Sequence, residues 1–213
     1  MSDLEFRERP PAGEPEGMLV LHHGRGTDEL DLLPLADALD PDRRLQVVSV
    51  RAPLRLPGSP GYHWYWVRRV GYPDPATFWS SFEELGSLHD ELWQRYGIEP
   101  SRTLLGGFSM GAVMSYSLGL AAARPAPAGI LAFSGFLPTV KHWEPDLQTR
   151  RQLRVFIAHG RYDPTISVEF AREARRRLEA AALPVSYHEF DGPHAIDPAH
   201  LPAASAWVQE TLT

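Results

Sequence analysis

The sequence predicts an α/β fold, a mostly parallel central sheet with helices on both faces. Three observations predict it. Short apolar runs of five or six residues alternate along the chain with stretches of helical periodicity, the pattern of a parallel sheet whose crossovers cover it. The length, 213 residues, suits one sizeable core, so a single domain over 1–213 is expected. A serine set between glycines, Gly107–Phe108–Ser109–Met110–Gly111, stands where one apolar run meets a helical one.

Taken in order, Leu4 to Arg9 is read as an N-terminal edge strand. The polar stretch from Pro11 to Gly17 is a turn, because too little chain precedes it to form a core. Met18 to His22 is the first central strand, Glu29 to Leu39 a helix, and Leu45 to Val50 the next strand. An aromatic loop at about 58–75 leads into a helix over Ala76 to Tyr96. Thr103 to Phe108 is a buried strand, followed by a helix with few charges from Met110 to Arg124. Gly129 to Phe133 and Arg154 to Ala158 are strands. The helix Ser167 to Ala182 carries a basic run, Arg172 to Arg177, which with Glu169 and Glu179 makes a solvated face of i,i+4 pairs. Val185 to Phe190 is the last strand, and Leu201 to Thr211 a packing helix with Trp207 in the core. There is no internal repeat.

Composition removes several function classes. With 21 basic and 27 acidic residues the net charge is −6, which gives no electrostatic footing for nucleic acid or an anionic membrane. A small neutral or amphipathic partner is expected instead. The absence of cysteine removes disulfide frameworks, thiolate metal sites and cysteine nucleophiles together. No apolar leader opens the chain and no stretch approaches the roughly 18 apolar residues of a membrane span, so no membrane span and a cytoplasmic location are expected. A phosphate loop is excluded because G-x-x-x-x-G-K-[ST] is missing, and Gly24–Arg25–Gly26 lacks the further glycine of a dinucleotide fingerprint.

The chemistry converges on Ser109. A nucleophile at a strand-to-helix elbow must be exposed on a tight turn, and the flanking glycines relieve the crowding a side chain would create. A neutral hydroxyl needs a base, and the base needs a carboxylate to fix its tautomer. Asp163, beyond the strand Arg154 to Ala158, and His194, beyond Val185 to Phe190, follow Ser109 in the order serine, acid, histidine. Asp191 and Asp197 are competing acids. His188, within a strand, and His200, near the last helix, rank below His194. Two N–H donors are needed for the oxyanion of acyl transfer: the main chain of Met110, after the nucleophile, and that of Arg25, in the loop after the first central strand. His22 and His23 are expected to pin that loop by hydrogen bonds. In the loop over 58–75, Trp64, Tyr65 and Trp66 either wall an acyl or aryl group or pack the loop onto the sheet. Arg68 and Arg69 either solvate it, the favoured reading, or attract an acidic substrate.

With His23–Gly24–Arg25–Gly26, Gly107–Phe108–Ser109–Met110–Gly111, Ser134–Gly135–Phe136–Leu137–Pro138, His159–Gly160–Arg161–Tyr162–Asp163–Pro164 and Gly192–Pro193–His194, the chain resembles the carboxylesterase and acyl-protein thioesterase branch of the α/β-hydrolase superfamily over nearly its full length. The resemblance implies the α/β-hydrolase fold and a Ser109, His194 and Asp163 triad. It also implies an oxyanion hole of Arg25 and Met110 main chains, and an acyl pocket touching Phe136 and Leu137. It places the segment 58–75, with Trp64 and Trp66, over the substrate. Met110 stands where the family often has glutamine, and Arg25 where an apolar residue is common. The expected activity is hydrolysis of small to medium acyl or aryl esters through an acyl-enzyme, with water as second substrate and no metal or other cofactor. Thioesterase, lysophospholipase or acyltransferase action on the same triad is the alternative, and a non-catalytic small-ligand binder the second. Homodimerisation is implied by the resemblance alone.

Overall fold

The computed structural model of the protein describes residues 2–212. In chain order the elements are β1 (Phe6–Arg9), β2 (Gly17–His22), α1 (Leu35–Leu39), β3 (Leu45–Val50), β4 (Leu54–Arg55), β5 (Tyr62–His63), β6 (Val67–Arg69), β7 (Tyr72–Pro73), α2 (Pro75–Tyr96), β8 (Thr103–Phe108), α3 (Met110–Leu120), β9 (Gly129–Phe133), β10 (Arg154–Gly160), α4 (Val168–Ala180), β11 (Val185–Phe190) and α5 (Leu201–Leu212). Seven strands form the main sheet in the order β1-β3-β2-β8-β9-β10-β11. β1 runs antiparallel to β3 and the other pairings are parallel.

Alternate residues of the strands feed two separate cores, because successive side chains leave opposite faces of a strand. Met18 and Val20 of β2, Val48 of β3, Leu105 of β8 and Val155 of β10 pack with α2, α3 and α4. Their neighbours Leu19, Leu21, Val47, Leu104 and Phe156 pack on the other face with α1 and α5. The helix-covered parallel sheet is thus the one the sequence predicts. No helix of the described residues is long and apolar enough to cross a membrane.

Three helix limits differ from expectation, each for a local reason. The helix expected over Glu29 to Leu39 is confined to α1. Pro34 cannot donate into a preceding turn, and Asp28 ends its own short turn by accepting from the Leu30 N–H at 2.9 Å. Glu29 is drawn inward to a bidentate pair with Arg51 at 2.6 and 2.7 Å. The helix expected to reach Arg124 stops at Leu120, since Ala121 is extended and bridges to Pro145. Arg150 then donates to the Ala121 and Arg124 carbonyls at 2.7 and 2.6 Å. The third limit is smaller: α4 closes at Ala180, with Ala182 at φ 63. Between β3 and α2 the chain folds into two small hairpins, β4 with β5 and β6 with β7, which lie outside the main sheet.

Candidate active site

β8 ends at Phe108 and α3 starts at Met110, so Ser109 alone makes the turn, at φ 54 and ψ −117. This is a sparsely populated conformation for a residue with a side chain. Glycines make it feasible. A Cβ on Gly107 would lie 2.4 Å from the Gly111 carbonyl carbon, and one on Gly111 would lie 1.9 Å from the His22 oxygen. The Ser109 N–H is tied to the Phe133 oxygen of the neighbouring strand at 2.8 Å.

Asp163 and His194 follow β10 and β11, the two strands beyond β9 in the sheet. β10 and β11 run in register to Gly160 opposite Phe190. A Cβ on Gly160 would stand 2.3 Å from the Pro193 oxygen, so its lack of a side chain lets the His194 loop cross the end of β10. The Arg161 N–H to Phe190 carbonyl bond, 2.8 Å, and the Tyr162 N–H to Gly192 carbonyl bond, 3.1 Å, stitch the two loops together. The result brings the three residues into line. His194 Nδ1 lies 2.6 Å from Asp163 Oδ2, and His194 Nε2 lies 2.8 Å from Ser109 Oγ. A carboxylate only accepts, so the ring proton is on Nδ1 and Nε2 presents a lone pair to the hydroxyl. Phe108 packs on the imidazole with centroids 4.8 Å apart.

Asp163 is itself held by the start of the next loop. Its Oδ1 accepts the Thr165 and Ile166 N–H groups, both at 2.8 Å. His159 Nε2 lies 2.7 Å from the Ile166 oxygen and 3.2 Å from Asp163 Oδ2. Burial holds the His159 pKa below its ordinary value, so the contact is a neutral hydrogen-bonding one. The competing residues stay outside: Asp191 pairs with Arg161 at 2.7 Å, and Asp197 accepts from the Ala199 N–H at 2.9 Å. His188 bonds Ser186 at 3.0 Å and stacks on Phe156, and His200 packs against it.

The loop after β2 is fixed on every side. His23 Nδ1 donates to the Gly24 oxygen at 2.6 Å, and its Nε2 accepts the Ala52 N–H at 3.0 Å. Thr27 Oγ1 donates to the Gly24 oxygen at 3.1 Å, and the Gly26 N–H donates to the Tyr62 oxygen at 2.7 Å. His22 reaches Ser115 of α3 at 2.8 Å and His89 of α2 at 3.3 Å. Both histidines of that pair are fully buried, and burial drives their pKa values down, that of His89 to about 3.

A cavity of about 120 Å³ opens at Ser109, small beside the roughly 300–1,000 Å³ of pockets for drug-sized ligands. Met110 and Arg25 lie on its wall with Ser109, and so does Phe136. The Met110 N–H, at the first position of α3, has no partner within the helix. The roof is made by Tyr65, Val67, Val70 and Gly71, and the far side by Thr165 and Ile166. The Gly71 oxygen accepts from Thr139 Oγ1, which anchors the hairpin tip.

Three residues expected at this wall are elsewhere. Trp64 is wholly buried and donates Nε1–H to the His23 oxygen at 2.9 Å, so it packs beneath the loop. Trp66 is 41% exposed and meets the His63 ring edge-on at 4.3 Å. Leu137 is buried beyond the lining formed by Phe136. An extended chain sends alternate side chains to opposite sides; Tyr65 and Val67 face the cavity, and Trp64 and Trp66 do not. The contributions of Val67, Val70, Gly71, Thr165 and Ile166 carry no motif, and period-two alternation is the signal that could have selected Tyr65 with Val67. A larger concavity, about 570 Å³, lies at the opposite end of the sheet among Ala128, Arg150 and Arg154, away from the carboxyl ends of the strands where such folds bind ligands. Among the described residues no group of three or more His, Cys, Asp or Glu side chains is arranged to hold a metal ion.

Comparison with known proteins agrees in kind. The profile of the phospholipase/carboxylesterase family matches residues 8–212. The chain is 28% identical over 202 residues to the putative hydrolase MhqD of Bacillus subtilis, covering 94% of this chain and 96% of that one. It is 25% identical to the lysophospholipase-like protein 1 of Mus musculus, over 95% and 90% of the two chains. Among solved structures, a Bacillus cereus carboxylesterase superposes with a TM-score of 0.85 at 25% identity, over 98% of this chain and 95% of that one. Esterase PE8 gives 0.82 at 26%, over 98% and 99%.

Proposed function

Because the chain belongs to the phospholipase/carboxylesterase family, we propose that it is a serine hydrolase that cleaves carboxylic esters of small to medium acyl or aryl groups through an acyl-enzyme. The observation that carries this reading is the continuous relay from Ser109 Oγ through His194 to Asp163 at 2.8 and 2.6 Å.

In the first half-reaction His194 Nε2 takes the Ser109 proton as Oγ attacks the ester carbonyl. A carbon–oxygen bond forms to Ser109, and the carbonyl electron pair moves onto oxygen, where the Met110 and Arg25 N–H groups receive it. Asp163 keeps the Nδ1–H tautomer and stabilises the imidazolium. Collapse breaks the bond to the leaving oxygen, which takes the proton from His194 and departs as alcohol. A water then loses a proton to His194 and attacks the acyl carbon; the proton returns to Ser109 Oγ, and the acid leaves. Thioesters would use the same atoms, and the small cavity supports the shorter acyl groups in either case.

Intact mass after exposure to a fluorophosphonate, beside hydrolysis of p-nitrophenyl esters of graded chain length, tests the proposal. Wild type is expected to gain one adduct and to turn over the shorter esters. Ser109→Ala is expected to gain none and to lose at least roughly 10³-fold in kcat, as removal of a nucleophile does. A folded Ser109→Ala that keeps wild-type turnover, or a folded wild type that neither labels nor hydrolyses, would sink it.

A further inference from the structure

Arg25 is the one charged residue among those that line the Ser109 cavity. Its companions there are apolar or neutral. The guanidinium is exposed, and within the described residues it makes no ion pair or hydrogen bond. Of the acidic residues that follow in this loop, Glu29 is gripped by Arg51 at 2.6 and 2.7 Å and Asp28 accepts from the Leu30 N–H at 2.9 Å. In the hairpin that roofs the cavity, Arg69 lies over the Tyr72 ring at 3.8 Å.

The position is also rigid. The residues before and after Arg25 are fixed through the Gly24 oxygen and the Gly26 N–H, and Trp64 holds the His23 oxygen from below. A guanidinium on a fixed backbone loses less freedom when it engages a ligand, and its planar fork matches a carboxylate in two parallel hydrogen bonds. An unpaired cation on an apolar wall beside the nucleophile therefore asks for an anion carried by the substrate. The small cavity keeps that anion close to the scissile carbonyl.

We infer that Arg25 selects the substrate, and that the preferred ester carries a carboxylate on a short acyl chain, as a half-ester of a small dicarboxylic acid does. This rests on the ester-hydrolase reading of Ser109. The half-ester acylates Ser109 with loss of the alcohol, and water releases the dicarboxylate. Arg25 then acts twice, by its main-chain N–H on the reacting oxygen and by its side chain on the distal carboxylate.

The test compares kcat/KM for monoethyl succinate with that for ethyl pentanoate, an ester of matched length without the charge, in wild type, Arg25→Lys and Arg25→Gln, with fluorophosphonate labelling of each protein. Because the ratio within each protein is read, any effect of the substitution on the reaction centre common to both esters divides out. The expected result is a wild-type preference for the half-ester of roughly tenfold or more, the scale of a hydrogen bond to a charged group. The preference should fall with added salt, survive in part in Arg25→Lys and vanish in Arg25→Gln. A wild type that hydrolyses ethyl pentanoate as well as monoethyl succinate overturns the inference and leaves the hydrolase reading standing. So does a preference that persists in Arg25→Gln, or a labelled Ser109 with no turnover of the half-ester. A folded wild type that neither labels nor turns over either ester overturns both.

Discussion

At Asp163 one carboxylate meets four groups, with the Thr165 and Ile166 N–H groups on one oxygen and His194 and His159 on the other. An asparagine there keeps an acceptor for the two amides but turns an NH₂ toward His194, so the ring must place its proton on the side facing Ser109. Asp163→Asn is therefore expected to lower kcat by roughly 10⁴ while fluorophosphonate labelling slows in step. Near-wild-type kcat in a folded Asp163→Asn would show that the acid does not set the tautomer. The order of these residues is legible in the sequence because each follows its own strand within a few positions. Which aromatic faces the cavity is a different matter. Trp64, Tyr65 and Trp66 are adjacent and chemically alike, and only the packing of Trp64 under His23 fixes the alternation that points Tyr65 inward.

The junction of β8 and α3 sets its tolerance at the scale of elements. Gly111 touches the His22 oxygen of β2, and an added Cβ at 1.9 Å must push the helix off the sheet. Gly111→Ala is expected to cost about 3 kcal/mol or more, a fall in Tm of roughly 6–12 °C for a chain of this size. Gly13, with nothing within 4 Å of its Cβ position, is the control, and Gly13→Ala should melt as wild type does. Equal melting of the two variants would show that the junction can yield. The inner strands of the main sheet, β2, β3, β8, β9 and β10, are readable because each is a short, mainly apolar run buried on both faces. The helix limits were less so. Composition continues past Leu120, but Arg150 captures the Ala121 and Arg124 carbonyls from 26 to 29 positions away, a distance over which local periodicity carries no information. The four two- or three-residue strands from Leu54 to Pro73 have the same difficulty, since a pairing that short is decided by what it packs upon.

Across the whole molecule, the sheet order brings β2 beside β8, so that His22, His89 and Ser115 link β2, α2 and α3 inside the core. Their burial ties stability to pH. His89 binds a proton in the unfolded chain below its ordinary pKa of 6.5, but in the fold only near pH 3. The unfolded state therefore holds more protons between those values, and stability falls as pH falls through that window. Urea midpoints are expected to decline from pH 7 to pH 5, above the range in which ordinary carboxylates titrate, and His89→Gln should make the decline shallower. An unchanged slope in a folded His89→Gln would exclude this residue as its source. The strand order behind this contact has no sequence signature, because parallel strands are joined through crossovers whose length does not state their neighbours. The same arrangement divides the chain into a frame and an exchangeable part. Ser109, Asp163 and His194 hang from β8, β10 and β11, whereas the roof comes from β6 and β7, which contribute nothing to the main sheet. Tyr62 and Trp64 must stay, since they hold the Gly26 N–H and the His23 oxygen, and Asp74 must stay to cap α2 through the Thr77 N–H. Between those fixed points, residues 67–73 can be swapped as a cassette, so a lineage or an engineer can retune what enters the cleft by trading one short hairpin and leaving the machinery beneath it undisturbed.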